Sequence, residues 1–199
     1  MGKGRLEAFS DGVLAIIITI MVLELKVPHV DDPTALKPLY PVFLSYLLSF
    51  IYIGIYWNNH HHLLHMVKHI NGKSMWANLH LLFWLSLVPF ATAWMGENHF
   101  SKWTIILYNA VLIGAAIAYT LLLWALVSCG KDNKELAAAM GKDWKGKLSL
   151  VIYLLSTGVA FISTAVSLLL ITLVAAIWFI PDKRVEKIVE KQEALYDKS

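Results

Sequence analysis

Long apolar segments constrain this chain more than any other feature. Several of them reach the roughly 20 residues that a helix needs to cross a bilayer, and only short polar stretches separate them. Hydrophobic residues make up 58% of the chain and charged residues 16%, against about half and about a quarter in soluble domains. The first segment lacks a small-residue cleavage site, so we expect it to be retained rather than removed as a signal peptide. The sequence therefore predicts an all-α integral membrane protein.

The apolar segments predict six membrane-crossing helices. They are expected at residues 8–27, 39–66, 75–96 and 102–129, with two further helices sharing the apolar stretch 147–180. That stretch is too long for one crossing, so we place a break near 161–164. The alternative is five crossings with one bent last helix. Residues 1–181 would form a single transmembrane domain, followed by a charged tail at 182–199.

The distribution of positive charge predicts the orientation. With a cytosolic N-terminus, six crossings place 14 of the 17 Lys and Arg residues inside and leave three outside: Lys26, Lys37 and Lys102. Five crossings would give 9 inside and 8 outside. Because cytoplasmic loops are enriched in Lys and Arg, the first pattern is favoured. We therefore expect six crossings with both termini in the cytosol.

Two charged residues, Arg5 and Asp11, precede the first apolar segment. Charges this close to the bilayer core are costly and are usually retained because they pair or serve a function. At 100° per residue, Asp11 points about 140° away from Ile16, and about 120° separate Arg5 from Asp11. We therefore expect each of the two to find a partner on another helix, and to act as scaffolding.

The opposite side of the same helix is plain and aliphatic. Ile16, Ile20 and Leu23 fall within about 60° of one another, with Thr19 at the edge of this stripe and Phe9 on the same stripe toward the cytosol. The pattern permits two interpretations. The stripe faces lipid or the helix bundle, or it forms the wall of a pore whose narrow part is controlled by dewetting.

Short motifs in the first three segments resemble one membrane protein family. Arg5-Leu-Glu-Ala-Phe9-Ser10-Asp11 opens the first helix, Trp57-Asn-Asn-His60 lies in the second, and Asn78-Leu79 and Pro89-Phe90 lie in the third. In this setting the chain resembles the Transmembrane Protein 175 family, which comprises endolysosomal potassium channels and their prokaryotic relatives. The second half of the chain carries no motif that we can match.

The resemblance implies a channel in which the first helix of each repeat lines a central pore. A single-repeat chain would form a homotetramer in a bacterial or archaeal cell membrane, with potassium ions as the permeant species. Carried over by position, the hydrophobic constrictions would be Ile16, Ile20 and Leu23, and the selectivity position would be Thr19. An interhelical network that holds the pore helices would comprise Arg5, Phe9, Ser10, Asp11 and His60.

Selectivity is expected to be modest. The sequence contains no Thr-Val-Gly-Tyr-Gly segment, so a cage of backbone carbonyls is not expected to select the ion. An aliphatic neck offers no strong ligands, and K⁺ is less tightly hydrated than Na⁺. We therefore predict a leak-type channel with a modest preference for K⁺, which needs no cofactor or bound metal and has no nucleic-acid partner.

Five histidines crowd the cytosolic end of the second segment: His60, His61, His62, His65 and His69. Three interpretations remain open for this cluster. It is a hydrated interfacial group with His60 alone bonded to the first helix, a pH sensor, or a metal site built on histidines four residues apart. The first is expected, because no carboxylate or cysteine lies nearby in sequence.

Other function classes find less support. An enzyme would need a polar constellation at membrane depth, and neither paired carboxylates nor a Gly-x-Ser-x-Gly motif is present. Two arginines in the whole chain do not make a voltage sensor. A secondary transporter of a small cation or solute is the alternative, because Pro89 would interrupt the third helix as in transporters. The apolar segments carry no midplane charges, however.

Overall fold

The computed structural model describes residues 2–29, 31–67, 69–129 and 144–179. Within these ranges the chain folds into seven α-helices and one 3-10 helix, which precedes the second α-helix. The α-helices are α1 (Lys3–Leu23), α2 (Tyr40–Met66), α3 (Gly72–Ser86), α4 (Val88–Glu97), α5 (Lys102–Val127), α6 (Trp144–Val159) and α7 (Thr164–Phe179), and the 3-10 helix is Pro33–Leu39.

Four helical stretches of the described part are long and apolar enough to cross a bilayer: Lys3–Leu23, Pro33–Met66, Gly72–Glu97 and Lys102–Val127. Helices α6 and α7 have 16 residues each, about 24 Å at 1.5 Å per residue. A turn over residues 160–163 joins them, so the predicted break near 161–164 is confirmed. The all-α membrane architecture predicted from hydropathy is confirmed as well.

The first helix differs from its predicted bounds at both ends. It begins at Lys3 rather than at residue 8, because the polar residues before the apolar run are also helical. It ends at Leu23, well before Pro28, and the backbone N–H of Glu24 bonds back to the carbonyls of Met21 and Val22. The prediction that the first helix continues to residue 27 is therefore wrong. Polar residues after Leu23 end the apolar segment first.

The third predicted crossing consists of two helices, α3 and α4, which meet at Leu87. Pro89 lies at the second position of α4, where its missing N–H does not interrupt the hydrogen bonds of α4 itself. The same proline removes a donor that a continuous helix would have offered to Leu85. The interruption therefore has a local cause, and the two helices together still provide one crossing.

Close helix contacts in the core depend on small residues. A side chain added at Gly114 of α5 would collide with the indole of Trp84 on α3, so this glycine lets the two helices approach each other. Gly96 of α4 has the same function against Val42 of α2. Membrane helices commonly pack through such small residues, because lipid supplies no hydrophobic force to press them together. These contacts pack α3 against α5 and α2 against α4, and the four helices together form the frame on which α1 lies.

Candidate functional site

The aliphatic stripe of α1 lies on the outside of the helix bundle. Ile16, Ile20 and Leu23 are 58%, 44% and 77% exposed. The opposite face of α1 packs into the core through fully buried side chains: Leu6, Leu14, Ile17 and Met21. Helix α1 is therefore anchored on one side, while its aliphatic stripe is exposed on the other.

Thr19 lies beside this stripe and is exposed. Its Oγ1 donates to the backbone carbonyl of Ile16 at 2.9 Å, a common arrangement for a hydroxyl within a helix. This bond uses the hydroxyl proton and leaves the oxygen lone pairs free to accept. Thr19 thus presents an oxygen acceptor, the kind of group that binds a cation, in an otherwise aliphatic surface.

An open groove of about 630 Å³ runs between α1 and α4. Ile16 and Ile20 line it on the α1 side, and Phe90 and Trp94 line it on the α4 side. The two aromatic rings stack with a 13° interplanar angle and centroids 6.4 Å apart. The groove is therefore a largely apolar surface that continues the aliphatic stripe of α1.

The end of this groove beyond Leu23 carries acidic residues, Glu24 after α1 and Glu97 at the end of α4. Glu97 forms an ion pair with Lys26, with 2.8 Å between Oε1 and Nζ. The hydrogen bond with Glu97 raises the pKa of Lys26, and both side chains are solvent-accessible. The pair links the loop after α1 to α4, but an exposed ion pair contributes little to stability.

A buried chain of hydrogen bonds joins α1, α3 and α2. His60 Nε2 lies 2.7 Å from Asn78 Oδ1, and Asn78 Nδ2 donates to Ser10 Oγ at 2.9 Å. Ser10 in turn donates to the carbonyl of Leu6 at 2.9 Å. Since the Asn78 nitrogen donates to Ser10, its oxygen accepts from His60, which places the imidazole proton on Nε2. Buried side chains from three helices thus hold one another in place.

Asp11 belongs to a separate contact. Its Oδ1 accepts a hydrogen bond from the indole Nε1 of Trp57 on α2 at 3.1 Å. Asp11 is half-buried and lies on a different face of α1 from Ile16, as the helical spacing predicts. The carboxylate therefore helps to attach α1 to α2 and does not point along the aliphatic stripe.

Arg5 and Phe9 take no part in either set of bonds. Arg5 is exposed, and its guanidinium has no hydrogen-bond or ion-pair partner among the described residues. Phe9 is about half exposed on the same side as the stripe. The expectation that Arg5 needs a partner on another helix is not met within one chain. Because α1 begins at Lys3, Arg5 lies in its first turn, where water can solvate the charge.

Two residues of these contacts, Asn78 and Trp57, received no role from the sequence. Both belong to motifs quoted above, but their partners depend on which helices pack together. An asparagine within an apolar helix is a usable signal, since a buried amide needs hydrogen-bond partners. As for the histidines, no group of three or more His, Cys, Asp or Glu residues in the described ranges is arranged to hold a metal ion.

The fold has a counterpart among solved channels. It matches the crystal structure of a lysosomal potassium-selective channel TMEM175 homolog from Chamaesiphon minutus with a TM-score of 0.75, at 29% identity. The match covers 88% of this chain and 95% of the other, and so includes most of the second half, where no motif was recognised. The chain thus has the fold of a multi-pass α-helical membrane channel.

Sequence comparison identifies the family. Residues 5–89 match the family model described as endosomal/lysosomal potassium channel TMEM175. A potassium channel from a Chryseobacterium strain is 54% identical over 94% of this chain and 97% of its own length. A potassium channel from Streptomyces collinus is 34% identical over 83% and 86%. The chain belongs to the TMEM175 family, as its motifs predicted, and the proteins of this family are channels rather than enzymes.

Proposed function

We propose that this protein is a leak-type potassium channel of a prokaryotic cell membrane, and that α1 lines its pore. The observation that carries the proposal is the division of α1 into a buried face and an exposed aliphatic stripe. Support comes from the two bacterial relatives, which are named potassium channels and align with most of this chain.

The assembly that follows is a homotetramer. The stripe lies on the outside of one bundle, so a wall around an ion path needs the same stripe from further copies. Closed rotational symmetry would bring these stripes together around one axis. Phe90 and Trp94, on the α4 side of the groove, offer the neighbouring copy an apolar surface on which to pack. Four copies follow from the family resemblance, because this chain holds a single repeat.

The proposed constriction consists of rings of Ile16, Ile20 and Leu23. Aliphatic rings narrow enough to exclude water form a barrier, since an ion there loses hydration without gaining ligands. K⁺ loses less hydration free energy than Na⁺ at such a ring, because water binds K⁺ less tightly. This difference gives a modest preference for K⁺. The Thr19 oxygen, beside Ile16 and Ile20, would replace part of the lost hydration shell and strengthen this preference.

The polar contacts at the cytosolic half of α1 serve as scaffolding in this proposal. Ser10 and His60, bridged by Asn78, fix the distance of α1 from α2 and α3. Asp11 fixes the rotation of α1 through Trp57. Arg5 and Phe9, exposed in one chain, would take their network role through contacts with neighbouring copies.

The orientation follows the charge distribution, with both termini in the cytosol and the channel domain over residues 1–181. The proposed tail, 182–199, lies outside the described residues. The secondary transporter is not favoured by the interruption between α3 and α4. Pro89 accounts for that interruption locally, and the relatives are named channels.

The experiment that tests the function is K⁺ flux from liposomes containing the purified full-length protein. Ile16→Asn should admit water to the constriction, raise K⁺ flux and reduce the preference for K⁺ over Na⁺. This preference is measured as the reversal potential in opposing K⁺ and Na⁺ gradients. The matched control is Ile117→Asn on α5, a site 45% exposed that lies outside the groove. Equal effects of the two variants, or none from either, would reject α1 as the pore wall.

A further inference from the structure

Three contacts, one per helical turn, join the cytosolic halves of α1 and α2. We call these contacts the cytosolic ladder. Lys3 Nζ donates to the backbone carbonyl of His65 at 3.0 Å, Glu7 Oε1 lies 3.1 Å from His61 Nδ1, and Asp11 Oδ1 accepts from Trp57 Nε1 at 3.1 Å. The residues advance by four along α1 and retreat by four along α2. The ladder therefore runs along two antiparallel helices and fastens the cytosolic half of α1.

The α2 side of the ladder is a column of stacked rings. Trp57 and His61 have centroids 6.2 Å apart at 26°, and His61 and His65 have centroids 6.3 Å apart at 6°. Stacking on both faces restricts the rotation of the His61 ring, so that its Nδ1 remains directed at Glu7. The middle contact is thus held by packing as well as by charge.

Only the middle contact of the ladder joins a histidine ring nitrogen to a carboxylate. Histidine is the side chain that ordinarily changes charge between about pH 5 and 8. Once protonated, the imidazolium attracts Glu7 as a full ion pair, whereas the neutral ring offers one hydrogen bond. The other titratable groups around the pair are Lys3 and Asp11 on α1 and His60, His62 and His65 on α2. Helix α3 presents an uncharged group, Asn78, to His60.

We propose that Glu7 and His61 are positioning residues for the pore helix, and that cytosolic acid tightens their contact and lowers K⁺ flux. The proposal rests on the proposed function, because it takes α1 to be the pore wall. An aliphatic neck conducts when its walls move apart. A firmer ladder fastens α1 to α2 and so opposes that movement. Glu7 lies within the Arg5–Asp11 segment and His61 directly follows Trp57–His60, but the resemblance gave neither residue a role.

The test is K⁺ current of the full-length protein in planar bilayers while the pH on the cytosolic side changes from 8 to 5.5. Wild-type current should fall about threefold, the scale set by an exposed ion pair. His61→Gln and Glu7→Gln should each remove this response. The control His69→Gln changes an exposed histidine beyond the end of α2 and should retain the response. A pH-independent wild type, or His61→Gln with the wild-type response, overturns the proposal.

A second measurement separates this proposal from the pore assignment. The Tm of wild type, Glu7→Gln, His61→Gln and the double variant forms a double-mutant cycle in detergent at pH 5.5 and pH 8. We expect coupling at pH 5.5 that is much weaker at pH 8, and this result does not depend on where the pore lies. Equal coupling at both pH values would reject titration of the pair, whereas an Ile16→Asn variant without effect on flux would reject only the pore.

Discussion

The two halves of α1 differ in their contacts: one half is bonded to neighbouring helices, and the other exposes aliphatic side chains. In the N-terminal half, Ser10 and Asp11 are tied by hydrogen bonds to Asn78 on α3 and Trp57 on α2. In the C-terminal half, the side chains of Ile16, Ile20 and Leu23 are aliphatic and exposed. The contrast shows that one helix keeps the residues that attach it to α2 and α3 separate from the residues that it exposes on its surface. Stability and permeation should therefore respond to different substitutions.

The largest effect is expected from a substitution that breaks the hydrogen bonds of the N-terminal half of α1. Asn78→Leu preserves approximate volume but leaves the buried His60 imidazole without its partner, whereas the Ser10 hydroxyl retains its bond to the Leu6 carbonyl. An unsatisfied buried polar group costs about 1–3 kcal/mol, so we expect a loss of that size in the free energy of unfolding. Chemical unfolding in detergent measures it. Asn98→Ala, which changes an exposed amide at the end of α4, should cost less than about 1 kcal/mol.

A smaller effect on stability, but a clear effect on permeation, is expected from a substitution in the C-terminal half of α1. Leu23→Ala removes an exposed side chain, so the free energy of unfolding should change by less than about 0.5 kcal/mol. The wider apolar neck should raise K⁺ flux from liposomes and reduce the preference for K⁺. A loss of stability as large as that of Asn78→Leu, with flux unchanged, would erase the contrast between the two halves.

The smallest effect is expected at Thr19. Thr19→Ala removes the oxygen acceptor without changing the aliphatic residues around it, and the Ile16 carbonyl remains in its helical hydrogen bond. The preference for K⁺ over Na⁺ should fall while flux and stability stay near wild type. Reversal potentials in opposing K⁺ and Na⁺ gradients provide the measurement. Thr19→Ser, which retains the hydroxyl, should preserve the preference, and equal permeability ratios in wild type and Thr19→Ala would remove the role given to this residue.

Hydropathy predicted the helices well because lipid demands long apolar segments with internally bonded backbones. It missed the start of α1, since Lys3, Arg5 and Glu7 lie outside the apolar run although they suit a helix. It also read α3 and α4 as one helix, because the residues around Leu87 are as apolar as their neighbours. Only Pro89 signalled the interruption.

The contacts of the candidate site were less accessible from the sequence than the helices. Helical spacing alone separates Asp11 from Ile16, and the structure agrees with that separation. The partners of Ser10 and Glu7 lie 68 and 54 residues away, and no periodic pattern connects residues on different helices. The four-residue spacing of His61 and His65 was visible, but the carboxylate beside them belongs to α1 and depends on tertiary packing.

The central claim, that the C-terminal half of α1 lines the ion path, is tested most directly by cysteine modification during K⁺ flux. The single native cysteine, Cys129, is first changed to Ser, and Ile20→Cys is then compared with Ile117→Cys. A positively charged thiol reagent should block flux through Ile20→Cys and leave Ile117→Cys unaffected. Flux through Ile20→Cys that persists after demonstrated modification, or equal block at both positions, would contradict the claim.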